Sequence, residues 1–65
     1  MDRDLVGVAE IARMLGVSRQ RVDFLARTDD HFPQPIAELT AGRIWRLTDI
    51  ERWARKKGRA LNRGP

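Results

Sequence analysis

Ser18-Arg19-Gln20-Arg21 sets a hydroxyl, two guanidinium groups and a side-chain amide within four residues. A guanidinium makes paired, charge-assisted hydrogen bonds to a phosphate or a guanine edge, and an amide pairs with adenine in the same way. Opening a helix, these residues add the unpaired backbone N–H groups of its first turn, a ready site for anions. Phe24 and Arg27 follow at helical spacing on the polar side. Three uses are open to the Phe24 ring there: contact with a thymine methyl, contact with a neighbouring protomer, or cover by Gln20 or Thr28. Arg43 and Arg46, just after Gly42, place positive charge on a second, separate element. Together these residue types suit non-covalent recognition of a polyanion.

The sequence offers no comparable set for making or breaking bonds. Asp23 and Glu51 fall on different elements and no nucleophile accompanies them, so no catalytic residue is assigned and the chain is not expected to be an enzyme. It has no cysteine and a single histidine, His31, which excludes a disulfide framework and leaves too few ligands for zinc. Neither a metal nor another cofactor is expected.

Charge points the same way. The net charge is +4, and residues 43–65 hold eight basic side chains against two acidic ones. Neutralising phosphates with such a surface releases condensed counterions, which drives binding. With 65 residues the chain can bury one modest core, so tight packing, self-association or bound DNA must supply extra stability. No apolar run approaches the ~20 residues of a membrane span. The opening Met1-Asp2-Arg3-Asp4 is followed by too little apolar sequence for a signal peptide, and the chain reads as soluble and intracellular.

Three helices and a hairpin are needed to position these groups. Val8, Ile11, Ala12 and Leu15 share one helical face, with Gly7 as N-cap, Glu10 in the first turn and Gly16 as a left-handed stop. Ser18 caps a second helix over 19–27, whose inward stripe is Val22, Leu25 and Ala26. Thr28-Asp29-Asp30 breaks the pattern. In His31-Phe32-Pro33-Gln34-Pro35 the prolines hold an extended path, and Phe32 is placed in the core. Ile36–Leu39 and Arg43–Leu47 read as strands joined through Thr40-Ala41-Gly42. Thr48 and Glu51 match a capping box for a third helix running to about Lys57, with Ile50, Trp53, Ala54 and the Lys57 stem inward and Gly58 as its stop. Trp45 and Trp53 are core residues on this reading, while Arg55-Lys56-Lys57, Arg59 and Arg63 are candidate phosphate contacts. The predicted fold is mainly α with a small β-hairpin. It is a winged helix-turn-helix over residues 5–58 (helix-turn-helix, two-stranded wing, C-terminal helix), followed by a flexible basic tail over 59–65.

Gly16-Val17-Ser18-Arg19-Gln20-Arg21-Val22, Phe32-Pro33-Gln34-Pro35-Ile36, Gly42-Arg43, Trp45 and Asp49-Ile50-Glu51-Arg52-Trp53 succeed one another at a spacing that resembles the MerR-like winged-helix group. That group includes AlpA-type regulators and the small excisionases of temperate phages. The resemblance covers about residues 5–57. It implies a recognition helix in the major groove contributing Ser18, Arg19, Gln20, Arg21, Phe24 and Arg27. It also implies a wing at the minor groove or backbone contributing Thr40, Arg43 and Arg46. The coiled coil and effector domain of full-length MerR regulators have no counterpart in these residues, so no small-molecule effector is expected. The implied function is that of a double-stranded DNA-binding excisionase, a recombination directionality factor. Such a protein binds adjacent sites, bends DNA and directs a phage-type integrase toward excision. The alternative is an AlpA-like transcriptional regulator, and a third possibility is a protein–protein adaptor. The implied setting is the cytoplasm of a bacterial host, at the nucleoid when bound, with self-association on DNA and no membrane partner.

Overall fold

Gly7 joins two elements without a loop. Its backbone is extended (φ −101°, ψ −178°), which ends strand β1 (Leu5–Gly7), and helix α1 (Val8–Leu15) starts at the next residue. The Gly7 N–H donates to Glu10 Oε1 at 2.9 Å, so the first-turn carboxylate closes the helix start as the sequence predicts. The computed structural model describes residues 4–40, 42–59 and 61.

Gly16 ends α1 with φ 72°, a left-handed conformation that costs glycine little, and the Val17 N–H reaches back to the Ala12 carbonyl at 2.9 Å. Three residues later α2 (Arg19–Thr28) begins, capped by Ser18 Oγ, which accepts the Arg21 N–H at 3.0 Å. Val22 and Leu25 of α2 pack on Ile11 and Ala12 of α1 within one core.

Strands β2 (Ala37–Leu39) and β3 (Gly42–Arg46) form the predicted hairpin, β2 one residue shorter than its sequence reading and β3 of the same length but starting and ending one residue earlier, and Gly42 opens β3 with φ 133°. Ala41 lies outside the described residues. β3 then passes straight into α3 (Leu47–Lys56). The described residues form three helices and a three-stranded antiparallel sheet in the order β1-β3-β2, with helix predominating over strand.

Two expectations about these elements are corrected. The sheet has a third strand, β1, where a two-stranded wing was predicted. Val6 pairs with Trp45, and the Leu47 N–H donates to the Asp4 carbonyl. That same pairing displaces the predicted capping box. The residue flanking α3 is Arg46, with no side-chain cap, and Thr48 lies inside the helix. Leu47, predicted to end a strand, is a helical residue for the same reason.

The aromatic residues close the core between sheet and helices. Phe32 meets Trp45 edge-on with centroids 5.9 Å apart and Trp53 at 4.9 Å. Such rings prefer this geometry to stacking, and a buried indole needs a partner for its N–H. Trp45 Nε1 donates to the Pro33 carbonyl at 2.9 Å, and Trp53 Nε1 to Asp29 Oδ2 at 3.2 Å. Both tryptophans are buried, as is Ile50 between them in sequence.

Candidate nucleic-acid interface

At 3.6 residues per turn, burial of Val22 and Leu25 sends Gln20 to the outermost line of α2. Arg19, Asp23 and Arg27, spaced four apart, occupy one flank, and Arg21 and Phe24 the other. The contacts agree with this division. The Arg21 guanidinium lies over the Phe24 ring, 5.0 Å from its centroid, while Asp23 meets the hairpin. Phe24 is 44% exposed, and the neighbour covering its face is Arg21 rather than Gln20 or Thr28. The Thr28 hydroxyl instead donates to the Phe24 carbonyl at 2.7 Å.

Ser18 caps one N–H of α2 and leaves those of Arg19 and Gln20 without acceptors inside the helix. The side chains of Arg19, Gln20 and Arg27 are exposed and make no hydrogen bond or ion pair among the described residues. The charges of Arg19 and Arg27 are therefore not neutralised by the protein, and at Arg19, in the first turn, the positive end of the helix dipole adds to it.

The hairpin residues are arranged differently from their sequence reading. Arg43 does not project away from the body. Its guanidinium bonds Asp23 Oδ1 at 3.0 Å and lies 5.6 Å from the Trp45 ring centroid. The cause is the two-residue period of a strand, which puts Arg43 on the same side of β3 as buried Trp45. Glu38 stands directly opposite Arg43 on β2, yet the guanidinium goes to the helix. Arg46 lies on the other side of β3 beside Leu5, about 13 Å along the strand from Gly42. Thr40 is exposed at the hairpin tip. The structure thus brings Ser18, Arg19, Gln20, Arg27 and Arg43 to one region, with Arg21 and Phe24 around the helix from it, and leaves Arg46 apart.

No family model, curated protein or solved structure matches the chain. The site is described by its own geometry.

Asp29, at the other end of α2, joins three elements. Its carboxylate accepts from the His31 N–H at 2.8 Å and from Trp53 Nε1, and pairs with Lys57 Nζ at 3.3 Å. The His31 N–H above all, then Lys57 and Trp53, holds its pKa below the ordinary carboxylate value, against the opposing effect of partial burial. Lys57, whose stem was expected inward, is exposed and acts through this pair.

Beyond Gly58 (φ 69°), the Arg59 N–H bonds the Ala54 carbonyl at 2.8 Å and its guanidinium covers Trp53 at 5.6 Å. Leu61 packs on the core, so this start of the predicted flexible tail is in contact with the body. Ala60, Arg63 and the rest of 62–65 lie outside the described residues. Among the described residues no group of three or more metal-ligating side chains is found, and no helix is long and apolar enough to cross a membrane.

Sequence reasoning considered Asp23 only as a catalytic carboxylate and gave it no place among the binding residues. The available signal was its place between Arg19 and Arg27 on an otherwise cationic flank. Its partner, twenty residues on, had no local sign.

Proposed function

We propose that this chain is a winged helix-turn-helix protein that binds double-stranded DNA in a sequence-specific manner, with α2 in the major groove and the β2–β3 hairpin as its wing. The observation that carries the reading is the outward face of α2. Exposed Arg19 and Gln20 stand at an open helix N-terminus and exposed Arg27 in the last turn of the same helix, with an arginine-bearing hairpin bonded to the flank between them through Asp23. A major groove admits one helix, and this combination of donors suits phosphates and base edges together.

Within that reading we assign the role of an excisionase, a recombination directionality factor acting in the bacterial cytoplasm with a phage-type integrase. The sequence pattern of the MerR-like group, which small excisionases share with AlpA-type regulators, is compatible with it. The small size of the module also supports binding in tandem, because one copy contacts too little duplex to discriminate against a genome.

A footprint on candidate attachment-site DNA tests the role, and a salt titration on random duplex tests DNA binding itself. Repeated protected sites at fixed spacing are expected, with affinity falling steeply as salt rises. A single protected operator outside any attachment site would make the chain a regulator of the AlpA kind. No salt-dependent binding to any duplex would leave the adaptor reading.

A further inference from the structure

We infer that Asp23 is a specificity-determining residue that accepts a hydrogen bond from the exocyclic amino group of a cytosine in the major groove, with Arg43 as its positioning residue. This rests on the proposal that α2 is the reading helix.

Asp23 is the one carboxylate on α2, on a flank where both neighbours one turn away are arginines. A bare carboxylate there would repel the phosphates that Arg19 and Arg27 attract. Arg43 removes that conflict from a different element, bonding Oδ1 at 3.0 Å. The bond occupies one oxygen. No described residue donates to Oδ2, and the Asp23 side chain is 47% exposed. A partly exposed acceptor, tethered through its other oxygen, is therefore available on the flank next to Gln20.

Arg43, the tether, is itself held. The Arg43 guanidinium lies over Trp45, which is fully buried and anchored through its indole N–H to Pro33. Groups that read bases need this kind of support from a rigid neighbour. As a stabilising device the pair is poorly placed, since exposed ion pairs contribute little to folding.

The chemistry selects the base. In the major groove guanine shows two acceptors, and thymine an acceptor and a methyl, so a carboxylate is repelled or unpaired at both. Adenine has a donor but sets the N7 acceptor beside it. Cytosine presents its amino donor without that adjacent acceptor, and it is the base that aspartate pairs with. Four residues of helix rise about 6 Å, so Arg19, Asp23 and Arg27 cannot address one and the same base.

The test is selection from a randomised duplex library with the wild-type chain, Asp23→Ala and Asp23→Asn, alongside thermal melting and affinity for random duplex. The wild type is expected to select cytosine at one position. Asp23→Ala should lose that preference roughly tenfold or more while other positions keep theirs. Asp23→Asn, with an amide that pairs with adenine, should move the preference at that position to adenine. Unchanged preferences in both variants, with DNA binding intact, overturn the inference and leave the DNA-binding reading standing. An even loss at all positions with a lowered melting temperature makes Asp23 a structural clamp and also overturns it. Failure of the wild type to bind any duplex removes the DNA-binding reading, and the inference with it.

Discussion

Arg19 and Arg21 leave α2 on opposite flanks, Arg19 in line with Asp23 and Arg21 against Phe24. They cannot read the same base. Each change to alanine should weaken specific binding by about 1–3 kcal/mol if the side chain reads a base edge, with the losses at different positions of the site. Because the two share no partner, the double variant should lose close to the sum. Affinities for the selected site and a scrambled one check this. Equal losses on both would restrict these arginines to phosphates. The Arg43–Asp23 pair is a separate case. With both side chains partly exposed, its coupling in the free protein should be no more than about 1 kcal/mol by a double-mutant cycle in denaturant. A coupling several times larger would make the pair a stability element. The residue types of the cationic face were legible in the sequence because they are consecutive. The direction of Arg43 was not, since it depends on a partner on another element. Arg46 could have been separated from Arg43 in advance, because strand residues three apart face opposite sides.

Apart from the start of α3, the ends of the helices were the most legible part of the chain, and the reason is chemical. Gly16, Ser18 and Gly58 each do locally what their types favour, a left-handed stop or a hydroxyl cap. What sequence reading missed depends on distant pairing. β1 is three residues long, too short for a periodic signal, and it exists because β3 offers it an edge. The start of α3 moved for the same reason, since a ladder bond from Leu47 to Asp4 replaces a side-chain cap. The Asp29 junction is also an arrangement between elements, joining the end of α2 to the loop after it and to α3. Its carboxylate has a lowered pKa in the fold, so the stability it contributes is fully present above the ordinary value of 3.8. That contribution is lost as pH falls through the lower folded value. Asp29→Asn should destabilise the chain near neutral pH and flatten its melting curve against pH in the acid range. An unaltered acid limb in the variant would place the pH dependence elsewhere. Ser18→Ala removes the cap of α2 and should cost about 1 kcal/mol by denaturant unfolding. No loss would mean that solvent serves that N–H equally well.

The backbone measures 31 × 30 × 19 Å, a length comparable to about nine base pairs at 3.4 Å each. Discrimination against a genome needs more sequence than that, and it can come from several copies on neighbouring sites. The surface available for a lasting dimer is small. Leu39 is 59% exposed near the hairpin tip, on the side of the sheet away from Trp45, and Ile36 is 44% exposed just before β2. Residues three apart on an extended segment face opposite sides, so Leu39 and Ile36 form no joint patch, and neither alone supports a tight complex in solution. On the proposed function, a small contact at Leu39 would be enough to favour occupation of a second site once DNA has raised the effective concentration of a neighbour. Contact between the hairpin of one copy and a different surface of the next does not close on itself, so assembly would run along the duplex. The chain should therefore sediment as a monomer or weak oligomer alone and fill adjacent sites cooperatively. Leu39→Ser should reduce that cooperativity, while its one-site affinity and melting temperature stay near wild type, since the side chain is already in water. Titrations on one-site and two-site duplexes measure both quantities. A stable dimer without DNA, or independent filling of adjacent sites by the wild type, would overturn tandem assembly. Unchanged cooperativity in Leu39→Ser would move the contact to another surface.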